Sequence, residues 1–328
     1  MLKEKNRKKV LVTLCDESHV DMAKALFSSA YFKGGWDGDY LLLAHQVPEE
    51  KLKWFRDKGM EVWSCQPLSG FYYGNWKPVF LSKLYIFDWR IKKWNNVLYL
   101  DADCMVRASV KKLGQVKGFK ARKIMMAFGR QEPVLRFTPK NHFNTGVLAF
   151  STDVVQHNTL NVLKNSIPEI IGSIKNKEHL VVTDEIILSR YFKGRWKNFP
   201  WAYHVIPEQL KTFCFIKPEK VQGIILHHVF GLGGHPKPWL ASSFFHQEWQ
   251  ENLRKANDIF LIKQSYQVNT WPRLKIIFYS AYYNMHKLIF PLYLKFDRLL
   301  GLIGRFLKKT HPKTYWKIKQ VLPEKNEK

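Results

Sequence analysis

Apolar runs that end in polar or turn residues alternate with helically periodic segments along residues 1–240, the pattern of an α/β sheet. Residues 10–14 are continuously apolar and predict a buried first strand. Residues 20–31 follow with a helical stripe of Met22, Ala25, Leu26 and Ser29. After the turn residues 34–38, a second strand is predicted over 40–44. A short charged helix opens at Pro48, with Leu52 and Phe55 at helical spacing, and a third strand covers 61–64. Residues 66–78 predict a loop, and residues 80–93 an amphipathic helix bearing Leu81, Leu84, Phe87 and Ile91. Further strands are predicted over 123–128, 147–150 and 221–228, and a helix over 184–192.

The most informative stretch is 97–106, VLYLDADCMV. A buried strand stops at Asp101-Ala102-Asp103, and in extended backbone residues two apart face the same side. Two carboxylates converging at the mouth of a sheet suit a hard divalent cation, Mg²⁺ or Mn²⁺, that bridges to a substrate's phosphates. By itself such a pair is also common in solvated turns.

Three further segments fit a phosphate-bearing substrate. In 227–239, HHVFGLGGHPKPW, a strand ends in histidines and runs into glycines followed by Lys237. Glycine-rich backbone can expose N–H groups to phosphate, and lysine supplies a point charge; the alternative is a surface turn beside a core histidine. In 142–150, Asn144-Thr145-Gly146 precede a strand, where Asn and Thr can bond sugar hydroxyls or simply form a turn. In 181–188, Asp184 and Glu185 open a helix, a placement the helix dipole favours without any function.

Taken in order, Lys83, Asp101/Asp103, Asn-Thr-Gly, Asp-Glu and His…Gly…Lys-Pro-Trp resemble the retaining glycosyltransferases of family 8. That family includes glycogenin, galactinol synthase and the bacterial lipopolysaccharide α-glycosyltransferases. The resemblance covers residues 10–239. It implies the GT-A fold: an α/β, Rossmann-like, mostly parallel mixed sheet flanked by helices. It further implies that Asp101, Asp103 and His228 bind Mn²⁺ (or Mg²⁺) and that a UDP-sugar is the donor. Lys83, Gly231, Gly234 and Lys237 would neutralise the diphosphate. Thr13, Cys15 and His19 would grip the nucleoside, and Asn144, Thr145 and Gly146 the donor sugar. Asp184 and Glu185 would sit at the anomeric carbon as catalytic residues. The chain departs from the family twice. The loop between His228 and Lys237 is longer, which leaves His227 competing with His228 for the metal; the following Val229-Phe230-Gly231 favours His228, as in the family's His-x-x-Gly. And Glu185 stands where the family usually has Gln, so a carboxylate nucleophile competes with front-face attack by the acceptor, the preferred mechanism.

Composition then separates function classes. A formal net charge of +26 over 328 residues attracts polyanions: nucleic acid, an anionic membrane face or phosphorylated substrates. No RNA-recognition or helix-turn-helix pattern supports a nucleic-acid partner. From Pro272 onward there are 13 Lys/Arg against 3 Asp/Glu, interleaved with Tyr, Phe and Leu. This predicts two regions: a nucleotide-sugar glycosyltransferase domain over 1–245 and a helical, basic, aromatic, membrane-associating region over 246–328. The candidate span 276–294 contains Lys287 and Pro291, which argues against a transmembrane helix and for an interfacial one on anionic lipid. Four scattered cysteines without C-x-x-C spacing suit a reducing compartment, and the apolar run 10–14 is too short for a signal-peptide core. The expected protein transfers a hexose from UDP-glucose or UDP-galactose to a glycolipid or lipopolysaccharide-core acceptor, peripherally on the cytoplasmic face of the membrane. Alternatives are a soluble glycogenin-like or polyol glycosyltransferase, and a basic nucleic-acid- or membrane-binding protein without catalysis.

Overall fold

The computed structural model describes residues 8–70, 78–123, 142–175, 183–214, 216–228, 236–261, 268–285 and 309–310. Nine strands are formed among them: β1 (Lys9–Cys15), β2 (Asp39–His45), β3 (Glu61–Cys65), β4 (Asn96–Leu100), β5 (Cys104–Val106), β6 (Phe119–Lys123), β7 (Phe143–Ser151), β8 (Trp196–Asn198) and β9 (Ile225–His227). The helices are α1 (Val20–Phe32), α2 (Glu49–Asp57), α3 (Thr159–Asn165), α4 (Ile167–Lys175), α5 (Thr183–Tyr191), α6 (Pro207–Cys214) and α7 (His246–Arg254).

Seven strands form one sheet in the order β3-β2-β1-β4-β7-β6-β8, and β5 pairs with β9 in a separate ribbon. The strands β3, β2, β1 and β4 run parallel, whereas β7 is antiparallel to both β4 and β6. This is the mixed GT-A-like sheet. Parallel strands need both faces covered, hence their continuous apolar runs. In β1, Leu11 packs with α1 residues Ala23, Leu26 and Phe27 on one face. Val10, Val12 and Leu14 point to the other, against Leu81, Leu84 and Ile187.

The chain steps outward from β1 to β3 and then returns to place β4 on the other side of β1. At such a switch point the carboxyl ends of neighbouring strands open a crevice. Residues 16–19 leave β1 there, and Asp101 leaves β4.

One expectation changes. The helix predicted over 80–93 is two tight 3₁₀ segments, Pro78–Phe87 and Trp89–Lys93. Asp88 interrupts them, its carboxylate accepting the Arg90 N–H at 3.0 Å as an N-cap. The first of two compact units ends at Ser280. α7 belongs to it, Glu248 pairing with Lys33, which follows α1 (3.1 Å), and with Arg107 (Nε, 2.9 Å). Trp271 and Ile276 lie in the buried cluster of the α1 face. The second unit starts at Ala281. Within the strand predicted over 123–128, residues 124–128 lie outside the described residues, as do 286–294 of the candidate span. No helix among the described residues is long and apolar enough to cross a membrane.

Candidate active site

The pairing of β4 with β7 decides the centre of the site. Leu100 faces Val147, and the Asp101 N–H donates to the Gly146 carbonyl at 2.8 Å. Asn144-Thr145-Gly146 therefore run directly beside the first carboxylate. Between the two acids the backbone turns, the Cys104 N–H donating to the Asp101 carbonyl at 2.9 Å. The acids thus converge through a turn and not through the extended backbone that the sequence suggested.

Asp101 is held on both sides. Its Oδ1 accepts the Tyr99 hydroxyl at 2.6 Å and lies 3.0 Å from the Lys83 ammonium. Lys83, almost fully buried, also pairs with Asp184 Oδ2 at 2.9 Å and donates to Thr145 Oγ1 at 3.1 Å. Thr145 in turn donates to Asp184 at 2.6 Å. Burial opposes the Lys83 charge, but Asp101 and Asp184 outweigh it and hold its pKa above the usual range. Lys83, expected at the phosphates, is thus tied to two carboxylates, and Thr145, expected at the sugar, links Lys83 to Asp184.

Glu185 is buried and accepts from Asn144 Nδ2 at 2.7 Å, while Asn144 Oδ1 receives the Gly146 N–H at 2.9 Å. Burial, reinforced by the neighbouring Asp184 charge, pushes the Glu185 carboxyl up to about 8. Between the ordinary carboxylate range and that value the folded chain keeps a proton that the unfolded chain releases, so stability falls as pH rises through this window. Glu185→Gln removes the dependence while its amide oxygen still accepts from Asn144. The melting-temperature advantage of the variant should grow from pH 5 to pH 8 and then level off, as calorimetry across that range would show; an advantage that shrinks with pH would refute it.

The β5–β9 ribbon brings the second wall. Cys104 pairs with His227, and the His228 N–H donates to the Asp103 carbonyl at 3.2 Å. His227 Nε2 lies 3.3 Å from Asp103 Oδ1 and 3.6 Å from Asp101 Oδ2, and its Nδ1 bonds His204 Nε2 at 2.9 Å. His228 turns differently: Nδ1 meets Glu208 Oε1 at 3.1 Å, and Nε2 is buried with no hydrogen-bond partner. Asp103 Oδ1 also lacks an aligned hydrogen bond. Burial works against the Asp103 charge, but His227, His228 and Lys237 hold its carboxyl below the usual range. Lys237 Nζ donates to the His228 carbonyl at 3.4 Å, and burial lowers its pKa.

A donor set of carboxylates and imidazole, in which two buried atoms, Asp103 Oδ1 and His228 Nε2, make no hydrogen bond, fits a divalent cation. Asp103, Cys104 and His227 also carry donor atoms within 4.8 Å of one another. Cys104 faces the Gly146 carbonyl instead (3.6 Å), and burial keeps its thiol protonated.

At the end of β1 two of the expected side chains are buried. The Thr13 hydroxyl is buried and donates to the Leu100 carbonyl at 2.7 Å; Cys15 is buried in the α1-face core. Both belong to a strand covered on each side, so neither side chain reaches the crevice. A hollow of about 500 Å³ opens one residue later, lined by Asp16, Ser18, His45, Lys51 and Pro78 among others. His19 braces it, its Nδ1 lying 2.5 Å from Asp16 Oδ1. Sequence reasoning missed Asp16 and Ser18 at this hollow, and Tyr99, His204 and Glu208 behind the acids. Tyr99 was within reach, two residues before Asp101 on the same strand face; His204 and Glu208 carry no local signal. Gly231 and Gly234 lie outside the described residues.

The family model for glycosyl transferase family 8 matches residues 48–243, more than half of the chain and all of this site from Lys83 to Lys237. The chain belongs to that family. No curated protein sequence matches it significantly. Solved structures similar to it include the apo-form glycosyltransferase GlyE of Streptococcus pneumoniae TIGR4, at 18% identity and a TM-score of 0.55, covering 82% of this chain and 66% of that one. The bifunctional glycosyltransferase WbbM matches at 16% and 0.57, covering 80% and 53%. The galactosyltransferase LgtC, in complex with donor and acceptor sugar analogs, matches at 15% and 0.56, covering 81% and 98%. At these identities the likeness is one of fold, and the chain spans less than two thirds of GlyE and of WbbM. As a family 8 glycosyltransferase it shares a family whose enzymes use a sugar-nucleotide donor and a divalent metal.

Proposed function

We propose that this glycosyltransferase moves a hexose from UDP-glucose or UDP-galactose, with retention of configuration, to a saccharide on a membrane-associated glycolipid such as a lipopolysaccharide core. The observation that carries the donor half is the convergence of Asp101 and Asp103 on His227 at the switch-point crevice, with the His228 backbone N–H bound to the Asp103 carbonyl. Asp101, Asp103 and His228 would hold Mn²⁺ or Mg²⁺, which supplies Lewis-acid stabilisation of the departing diphosphate. Lys237 and the glycine loop would add positive charge and N–H donors there. Asp16, Ser18 and His19 replace Thr13 and Cys15 as the side chains offered to the nucleoside. Asn144, whose amide bridges Glu185 and the Gly146 N–H, would orient the sugar. Incubating the full-length protein with a panel of UDP-sugars, with and without Mn²⁺, and measuring UDP release tests this reading. Release from no UDP-hexose would defeat it.

Glu185 bears on mechanism. A carboxyl pushed up to about 8 is protonated at neutral pH, and a neutral carboxyl resembles the amide usual in the family more than a nucleophile. Front-face attack by the acceptor follows, and Glu185→Gln should retain transfer within about tenfold, since a lost nucleophile costs far more. Near-complete loss in a folded, UDP-binding variant would restore the double-displacement route.

The acceptor half rests on the carboxy-terminal region. Past Ser280 the sequence carries 11 Lys/Arg against 3 Asp/Glu, interleaved with Tyr, Phe and Leu, and Leu274, Ile277 and Phe278 are exposed just before it. Apolar side chains interleaved with basic ones favour an anionic lipid surface, each Lys or Arg contributing about 1 kcal/mol. The cut that tests this falls after Ser280: one near Trp271 would remove Ile276 from the buried core. The chain ending at Ser280 should lose most of its binding to phosphatidylglycerol vesicles and keep UDP-sugar hydrolysis. Failure of the full-length chain to sediment with the vesicles would favour the soluble alternative, and equal binding of both forms would take the membrane contact away from this region.

A further inference from the structure

The neighbouring histidines 227 and 228 have different partners, and the partners dictate where each ring carries its proton. Glu208, nearly fully buried, offers only acceptor oxygens when ionised. Its Oε1 at 3.1 Å from His228 Nδ1 therefore calls for Nδ1–H, which leaves the lone pair on Nε2 bare. That nitrogen is buried without a hydrogen-bond partner. A neutral imidazole locked by a carboxylate on one nitrogen and free on the other is the arrangement metal ligands adopt.

His227 is locked the opposite way. Its Nε2 faces two carboxylates, at 3.3 and 3.6 Å, where a bare lone pair would be repelled and an N–H attracted. On its other side Nδ1 meets His204 Nε2 at 2.9 Å, a contact that holds one proton. His204 is fully buried, and its own Nδ1 has no partner. An orphaned buried N–H is rarer than an orphaned acceptor, so His204 carries its proton on Nε2 and donates to His227 Nδ1. His227 then keeps its proton on Nε2, aimed at the acids.

We infer that Glu208 and His204 are positioning residues that fix opposite tautomers in adjacent histidines, so that His228 offers a bare Nε2 to the divalent cation while His227 turns Nε2–H toward Asp103 and Asp101 and orients them. This rests on the proposed metal-dependent reading and deepens it. Two residues from a separate segment, 204–208, thereby divide one His-His pair into a ligand and an N–H turned toward the acids.

The direct measurement is made on the metal-free full-length chain: ¹⁵N–histidine correlation spectra report which ring nitrogen bears the proton. Nδ1–H on His228 and Nε2–H on His227 are expected; the reverse pattern overturns the inference. Mn²⁺ affinity, read by electron paramagnetic resonance of free Mn²⁺, supplies the second arm. Glu208→Ala should weaken binding about 10- to 100-fold, the range for removing an outer partner of a metal-binding histidine. The isosteric Glu208→Gln should lose less, because its amide oxygen still accepts from Nδ1–H and its fold is the safer control. His228→Ala should abolish binding, and His227→Gln, which keeps an N–H donor, should retain most of it. Unchanged affinity in Glu208→Ala, or loss in His227→Gln with retention in His228→Ala, would sink the assignment. If the wild-type chain binds no Mn²⁺ while the tautomers are as assigned, the metal reading fails and the tautomer lock stands.

Discussion

Replacing Asp103 with alanine should lower sugar transfer by at least about a hundredfold, on the scale of losing one charge-stabilising contact in a closed site. The carboxylate is surrounded by His227, His228 and Lys237, which together hold it in its charged form. Removing it leaves the His227 Nε2 without the carboxylate it faces most closely and deprives a cation of the acid that the turn brings to it. Asp101→Ala should be comparably severe and should also destabilise the fold, because Tyr99 and Lys83 lose a shared buried partner. Chelation with EDTA should reproduce the loss in the wild-type chain, and added Mn²⁺ should restore activity there but not in Asp103→Ala. Full turnover after EDTA treatment would remove the cation from the mechanism.

Gly146→Ala is expected to damage both stability and activity. A Cβ built on Gly146 would lie 2.0 Å from His227 Cε1, 2.4 Å from Nδ1 and 2.6 Å from Nε2. The imidazole cannot simply retreat, since His204 holds one nitrogen and the β5–β9 ribbon fixes its backbone. Overpacking of this kind costs about 1–3 kcal/mol, a fall of several degrees in melting temperature for a domain of this size. The displaced ring would also leave the two acids unoriented, so transfer should drop at least about tenfold. Gly172→Ala is the control: a Cβ there meets nothing within 4 Å, and alanine favours its helix. Equal melting temperatures for Gly146→Ala and wild type would show that the close approach is not a constraint.

The strands of the parallel half were legible because both their faces are buried, which writes them as unbroken apolar runs. Helix periodicity likewise placed α1 and α5. It misread residues 80–93, where apolar spacing continues across Asp88 although that side chain caps a new turn. The acids, Lys83, Asn144 and Asp184-Glu185 were visible from residue type and order, and sheet register brings them together. What stayed hidden was the direction each side chain takes. Thr13 and Cys15 precede the crevice by a residue or more and point inward; Lys83 turned out to hold carboxylates. His204 and Glu208 are buried polar residues whose partners lie some twenty positions away, and no periodicity encodes such a pairing.

The β5–β9 ribbon has a consequence for how the protein folds and breathes. It pairs Cys104 with His227, closing a loop on the order of a hundred residues with three strand residues on each side, an entropic cost repaid late. During synthesis the parallel strands can assemble while residue 227 has yet to emerge, so the wall bearing the histidines joins last. In the finished protein the same ribbon is the short, separately paired piece, and it should exchange its amide hydrogens ahead of the seven-stranded sheet. The catalytic pocket would then be the first part of the molecule lost under mild denaturant, with inactivation preceding unfolding of the scaffold.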